Sequence, residues 1–336
     1  MSAMDMMKAW QINELGQPQD VLTLVDVPVP VPGAGQVAVR VLAAALNFPD
    51  VLMCQGKYQV RPDLPFTPGV EICGEITAFG EGVVPGDGIR VGARVLGSPA
   101  IPAGGFAQFA LMDATDVHLA PAALDDAQAA SFWIGYQTSW FALHRRAMLQ
   151  PGETLLVHAA AGGVGSSAVQ LGKAAGARVI GVVGGPEKAR FASELGADVV
   201  IDRHAQDFVQ VVKEVTQGRG ADVIYDPVGG DTYDRSTKCI AFEGRIVVIG
   251  FAGGRIQSAA LNHALIKNYS ILGLHWGLYK SKIPELMTQC HATLTQLAQD
   301  GIAVPLVSER IGLDGVPDAL RRLGAGETVG RVVMIP

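Results

Sequence analysis

The sequence predicts an α/β protein in two parts, a β-rich barrel and a doubly wound, six-stranded parallel sheet. Three observations carry that expectation. From about Met7 to Pro121 short apolar runs are broken every few residues by Gly and Pro. Past Pro151 continuous Val/Ile/Leu runs alternate with helical stretches. Between the first of those runs and its helix lies a glycine-rich turn. The composition suits a large buried core, since 49% of the 336 residues are apolar and 17% charged, which excludes a disordered chain.

In the first part the expected strands are Val21–Val29, Gln36–Leu42, Glu71–Gly80 and Arg90–Leu96, punctuated by Pro32-Gly33, Pro68-Gly69 and Pro85-Gly86-Asp87-Gly88. Residues 125–149 read as a helix whose first turn holds Asp125 and Asp126. After Pro151-Gly152 the strands are Thr154–His158, Arg178–Val183, Asp198–Ile201, Asp222–Tyr225, Arg245–Ile249 and Ser270–Leu274. Helices are expected near 164–175, 187–195, 205–216 and 231–241. Runs such as Leu155-Leu156-Val157 suit strands covered on both faces, hence a parallel sheet. A helix over Ile283–Gln299 and short strands ending in Arg331–Pro336 follow. That tail is too short for its own core and is assigned back to the first part. The expected domains are therefore 1–128 with 275–336, and 129–274.

Charge and cysteine usage narrow the partners. Lys and Arg number 26 against 32 Asp and Glu, a net charge of −6 with no basic block, so nucleic acid is not expected. Cys54, Cys73, Cys239 and Cys290 are scattered without a CxxC pair, as in a reducing compartment. No apolar run approaches the ~18–20 residues of a transmembrane helix. The start, Met1 to Lys8, lacks the basic and apolar regions of a secretory signal. The expectation is a soluble cytoplasmic protein.

The strongest local signal runs from Leu155 to Ala168. In it Gly163-x-Gly165-x-x-Ala168, with Gly162 and Val164, fits the G-x-G-x-x-G/A fingerprint between a strand and a helix. One glycine permits the tight turn, another lets backbone approach a pyrophosphate, and the small third residue lets helix and strand pack closely. An NAD site usually carries an acid at the end of the second strand. Here that end is Val183-Gly184, without an acid, and Lys188 and Arg203 follow. An uncharged strand end with nearby cations suits a 2′-phosphate, hence NADPH.

Together these features resemble the medium-chain dehydrogenase/reductase superfamily, and within it the zinc-independent quinone oxidoreductase branch that includes zeta-crystallin. The resemblance covers nearly all of residues 7–336. It rests on Leu46-Asn47-Phe48-Pro49-Asp50, Gly56-Lys57-Tyr58, Pro65 to Glu71, Gly104-Gly105-Phe106-Ala107, Ala161 to Gly165 and Asp226-Pro227-Val228-Gly229-Gly230. It implies a GroES-like barrel completed by the C-terminal segment, a Rossmann nucleotide-binding domain, and a cofactor in the cleft between domains. It also implies that Met1–Met6 is a disordered extension. Zinc-dependent relatives hold zinc with Cys and His, where this chain has Asn47 and Val70. Neither supplies a thiolate or imidazole, and residues 97–111 lack the cysteines of a structural zinc loop, so no metal is expected.

Without a Lewis acid, reduction of a conjugated carbonyl is easier than oxidation of an alcohol. Hydride delivered to a quinone or enone leaves an oxyanion that needs only hydrogen bonds and a proton. Candidate groups are Asn47 as amide donor, Tyr58 as proton donor, and Asp50, with a helix cap as the alternative for Asn47 and Asp50. Many relatives carry Tyr where this chain has Leu52. The resemblance also places Thr138 and Phe251 by the nicotinamide, and Trp276 near the substrate or in the core. Quinone reduction is one expectation. Enoyl-thioester or enone reduction is a second, for which Arg61, Arg145 and Arg146 are candidate contacts to coenzyme A phosphates. A non-catalytic NADPH-binding structural protein is a third. The resemblance further implies a homodimer through the sixth strand, and Tyr269 to Leu274 is an apolar, Pro-free edge.

Overall fold

In the computed structural model, residues 5–336 are described. The chain divides into two compact units, Met1–Ile134 with Val304–Pro336, and Gly135–Ala303. In chain order the strands are β1 (Met6–Ile12), β2 (Leu22–Pro28), β3 (Gln36–Ala45), β4 (Ile72–Phe79), β5 (Arg94–Gly97), β6 (Phe109–Asp113) and β7 (His118–Leu119). There follow β8 (Thr154–His158), β9 (Arg178–Val183), β10 (Val199–Asp202), β11 (Ala221–Asp226), β12 (Ile240–Val248) and β13 (Ser270–Gly273). The chain then returns with β14 (Val307–Gly312) and β15 (Arg331–Ile335).

The first unit is β-rich, as expected. Its main sheet runs β14-β15-β3-β4-β5-β7, with β6 on the free part of β3, and β1 and β2 form an antiparallel pair. The long strand β3 buries Val37, Val39 and Val41, inside the expected Gln36–Leu42, and runs on through the buried Ala43, Ala44 and Ala45. β15 sits inside the sheet, parallel to β14 and antiparallel to β3, so the C-terminal segment completes this unit. Glycine is required where strands meet loops. At Gly97, with φ +154°, a Cβ would lie 2.1 Å from the Asp116 carbonyl oxygen.

The second unit holds the six-stranded parallel sheet in the order β10-β9-β8-β11-β12-β13. Its central strands are apolar on both faces, and β8 and β11 are buried throughout. Helices Gly163–Ala174, Pro186–Glu194, Phe208–Val215, Asp231–Ser236 and Leu261–Lys267 supply the crossovers. The order reverses between β8 and β11, which puts the topological switch at the carboxyl ends of those two strands.

Three expectations are corrected. Residues 275–303, assigned to the first part, belong to the second unit. There the helix Pro284–Gln299 buries Met287, Cys290, Leu294 and Ala298, and the Met287 carbonyl accepts a 3.4 Å hydrogen bond from Gln137 Nε2. The helix expected over 125–149 is broken. It comprises Asp126–Ala130, Trp133–Trp140 and a π-helical turn at Phe141–Arg146. The break falls at Ser131, whose hydroxyl bonds back to the Ala127 carbonyl at 3.0 Å. Of the expected extension Met1–Met6, Met6 opens β1 and the Asp5 carbonyl accepts from Val29 N, while residues 1–4 lie outside the described residues.

Candidate functional site

In the first unit the Asn-x-x-Asp spacing forms a capping box at the helix Phe48–Cys54. Asn47 is the N-cap, and its backbone N–H donates to Asp50 Oδ2 at 2.8 Å. Asp50 does more than cap. Its Oδ1 accepts from Gly69 N at 3.0 Å and Val70 N at 3.2 Å, tying the segment before β4 to the helix. The Asp50 carboxyl is fully buried, and burial pushes it up to about 7 against the pull of three N–H donors, with the Glu71 charge adding to the rise. Tyr58 is half-buried; burial, then the Asp50 charge, raises its phenol.

The Asn47 side chain is fully engaged within the unit. Nδ2 donates to Glu71 Oε2 at 2.9 Å and to the Ala45 carbonyl at 3.2 Å, and Oδ1 accepts from Arg331 Nη1 at 3.1 Å. Glu71 is fully buried; its Oε2 also accepts from Arg331 Nη2 at 2.5 Å, and its Oε1 from Ile134 N at 2.7 Å. Burial drives the Glu71 carboxyl upward, and Arg331, Asn47 and Ile134 oppose it. The sequence reading missed Arg331 and gave Glu71 no partner. A buried Glu in a Pro-Gly-x-Glu turn was the available signal, because such a charge needs a cation.

In the second unit the turn after β8 carries the fingerprint. Ala159 has φ +50°, and a Cβ on Gly165 would lie 2.1 Å from the Ala159 carbonyl oxygen, so the third helical residue must be glycine. Gly162 is the N-cap of Gly163–Ala174, and the first backbone N–H groups of that helix are free of intrahelical acceptors. With the helix dipole they suit a pyrophosphate. Ser139 braces this turn: its Oγ lies 3.0 Å from the Val164 carbonyl, 2.9 Å from Ser167 Oγ and 3.0 Å from Tyr225 Oη. At the end of β8, His158 bonds Ser236 Oγ at 2.8 Å and meets the Phe208 ring edge-on. Burial depresses its imidazole to about 3, so it is neutral. Neither brace was visible in the sequence.

The end of β9 assembles the expected cations. A Cβ on Gly184 would lie 3.1 Å from the His204 ring and 3.2 Å from Arg203 Nε, so both side chains lie against that glycine. Burial, and then the charge of Arg203, lowers the Lys188 amine. Gly185, at φ +94°, caps the next helix, and its N–H donates to Asp202 Oδ1 at 2.9 Å. The His204 N–H donates to the same oxygen at 3.0 Å. Sequence reasoning missed both Asp202 and His204. An acid does stand at this sheet edge, on the third strand, with Oδ1 committed to backbone.

Phe251 is 40% exposed on the loop after β12, against Gly229, while Thr138 is buried between Gln137 and Ser139. The Trp276 indole donates to Gln137 Oε1 at 3.3 Å. Arg61 lies in the first unit and Arg145 and Arg146 in the second, where Arg146 Nε binds the Gly273 carbonyl at 3.1 Å. Among the described residues, no three His, Cys, Asp or Glu side chains cluster as a metal would need, and no helix is long and apolar enough to cross a membrane.

Asp50 yields a pH signature. Its native value lies above the ordinary 3.8, so the folded chain holds this proton more tightly than the unfolded chain. The stabilisation, on the order of 4 kcal/mol, is present below about pH 4 and lost as pH rises through about 7. In urea unfolding from about pH 4.5 to about pH 7.5, wild type should lose stability relative to Asp50→Asn. Parallel pH profiles for the two would show that Asp50 is ionised throughout.

Comparison with known proteins places the chain. Residues 33–122 match the alcohol dehydrogenase GroES-like domain family, and residues 163–292 the zinc-binding dehydrogenase family. A quinone oxidoreductase-like protein 2 homolog from Nematostella vectensis is 38% identical over 332 residues, 97% of this chain and 88% of that protein. The Escherichia coli quinone oxidoreductase, solved in complex with NADPH, is 30% identical with a TM-score of 0.90, covering 98% of this chain and 100% of that one. A solved CurK enoyl reductase is 27% identical with a TM-score of 0.86, covering 98% and 99%. The chain belongs to the quinone oxidoreductase branch of the medium-chain dehydrogenase/reductase superfamily.

Proposed function

We propose that this oxidoreductase reduces quinones with NADPH and without a metal, the second unit serving as nucleotide-binding domain and the first as catalytic domain. The observation that carries the reading is the edge of the parallel sheet, where a glycine turn braced by Ser139 stands beside Gly184, Lys188, Arg203 and His204. When bound, NADPH supplies a hydride, and with one proton this converts a quinone to a hydroquinone. Gly162, Gly163, Val164 and Gly165 offer backbone to the pyrophosphate, and the three cationic or ionisable groups face a 2′-phosphate. Thr138 and Phe251 line the nicotinamide side. The donor set does not fit zinc, because Asn47 and Val70 lack a thiolate or imidazole and Glu71 is held by Arg331.

The catalytic roles divide. Asn47 has both amide hydrogens committed, so together with Asp50 it holds the start of the helix Phe48–Cys54 in place. The Tyr58 hydroxyl has no hydrogen-bond partner among the described residues, and its raised phenol keeps the proton a product oxyanion would take. The likeness to CurK enoyl reductase supports a second reading, reduction of an enoyl thioester by the same hydride chemistry. Four buried free thiols suit the cytoplasm.

NADPH oxidation assayed with 1,4-benzoquinone and with crotonyl-CoA decides between these. Turnover with the quinone is expected; turnover with crotonyl-CoA alone would select the second reading, and tight NADPH binding without turnover a structural protein. Each charge-assisted hydrogen bond is worth about 1.5–3 kcal/mol. Lys188→Ala should therefore raise the KM for NADPH by about tenfold and leave that for NADH nearly unchanged. Equal loss for both cofactors would assign Lys188 to the fold.

The homodimer belongs to the same proposal. β13 ends the sheet, with Ile271 and Leu272 half-buried, and the second unit also exposes Leu261, Leu265, Ile266 and Phe242 at 70% or more. A two-fold partner pairing edge to edge would cover this surface. Light scattering at micromolar concentration should give a dimer mass, and Ile271→Lys should give a monomer. A wild-type monomer would refute the assembly.

A further inference from the structure

Asp226, the last residue of β11, stands at the topological switch and is wholly buried. Its Oδ1 accepts the N–H groups of Val228 and Gly229, each at 2.9 Å, which folds the chain back over the strand end. Its Oδ2 is buried and has no hydrogen-bond partner among the described residues. The turn it builds uses two residues in the left-handed region, Gly229 at φ +70° and Gly230 at φ +55°. That turn carries the neighbouring loop. Ala252 N donates to the Pro227 carbonyl at 3.0 Å and Gly253 N to the Val228 carbonyl at 2.9 Å. A Cβ on Gly229 would lie 2.9 Å from Phe251 Cδ1 and from Gln257 Oε1, and Gln257 Oε1 accepts from Gly230 N at 3.0 Å. Arg255 ties the far side through Asp231 and Asp234. One carboxyl group therefore sets the loops after the fourth and fifth strands in order, and through them the seat of Phe251.

The sheet order says which part of a dinucleotide those loops serve. The cations that suit the 2′-phosphate lie at β9 and β10, on one side of the turn after β8. A dinucleotide laid across the switch puts its other half over β11 and β12. We infer that Asp226 is a positioning residue for the nicotinamide half of the cofactor, acting through the loops 226–230 and 249–254 and not by contact. The inference rests on the NADPH reading above. Burial raises the Asp226 carboxyl, against the pull of the Gly229 and Val228 N–H groups. Asparagine has the same shape and keeps the Oδ1 acceptor that holds the turn.

Calorimetric titration with NADPH and with 2′,5′-ADP, which keeps the phosphate-bearing adenosine end and lacks the nicotinamide, separates the two halves. Asp226→Ala should weaken NADPH by about tenfold and leave 2′,5′-ADP within about twofold, and Asp226→Asn should restore most of the loss. Equal loss for both ligands, no loss for either, or an asparagine variant as weak as the alanine one overturns the inference. If the alanine variant does not fold, Gln257→Ala carries the test from the outer side of the same turn. It should weaken NADPH a few-fold and spare 2′,5′-ADP, and unchanged affinity for both counts against the role. Wild-type protein that binds 2′,5′-ADP and NADPH equally weakly or not at all overturns the cofactor reading itself, and this inference with it.

Discussion

The Glu71 carboxylate and the Arg331 guanidinium meet in the interior of the first unit, and much of that unit is arranged to make their meeting tolerable. Two charges withdrawn from water repay their desolvation only if nearly every donor and acceptor around them is used. Here Glu71 takes Arg331, Asn47 and Ile134, and Asn47 offers its own oxygen to the guanidinium, whose Nε is left without a partner among the described residues. The pair thereby fixes Asn47, and Asn47 fixes the start of the helix that bears Asp50. Asp50 in turn holds the backbone two residues before Glu71. The circuit closes on itself, so two loop residues, Asn47 and Glu71, are held by a strand and two helices in the interior of the unit.

The second unit solves a different problem, how to leave backbone amides available at one edge of a sheet. It does so with side chains that brace from behind. Ser139, Ser167 and Tyr225 hold Val164, His158 and Ser236 lock the end of β8, and Asp202 gathers the amides after β9 and β10. Each brace is buried or committed to backbone, which leaves the outward groups to interact with a ligand. Polar groups held in this way cost little reorganisation when charge arrives.

The parts legible in the sequence were those set by local physics. Continuous apolar runs gave all six parallel strands within a residue or two at most ends, except β12, which begins five residues early, at Ile240. The Asn-x-x-Asp spacing offered a helix cap as the alternative to a catalytic role, and the glycine turn named itself. What stayed hidden depended on distance along the chain. Glu71 and Arg331 are 260 residues apart, and nothing near either reveals the other. The helix Pro284–Gln299 is amphipathic, which foretells a buried stripe but not which unit buries it. Asp202 and His204 went unnoticed, because their value comes from the end of the neighbouring strand lying beside them. The commitment of the Asn47 amide was invisible for the same reason.

The return of β15 into the middle of the first sheet has a temporal meaning. During synthesis the first unit emerges early, with β3 and β4 able to pair but with one side of β3 open where β15 belongs. The second unit is contiguous and can fold as soon as it leaves the ribosome. The earlier unit must wait, with Glu71 still lacking its cation, until Arg331 has been added. The part of the chain made first is thus the part finished last, and for the whole of that interval it offers one open strand end, at Ala44-Ala45, and an uncompensated acid to whatever folding helper is at hand.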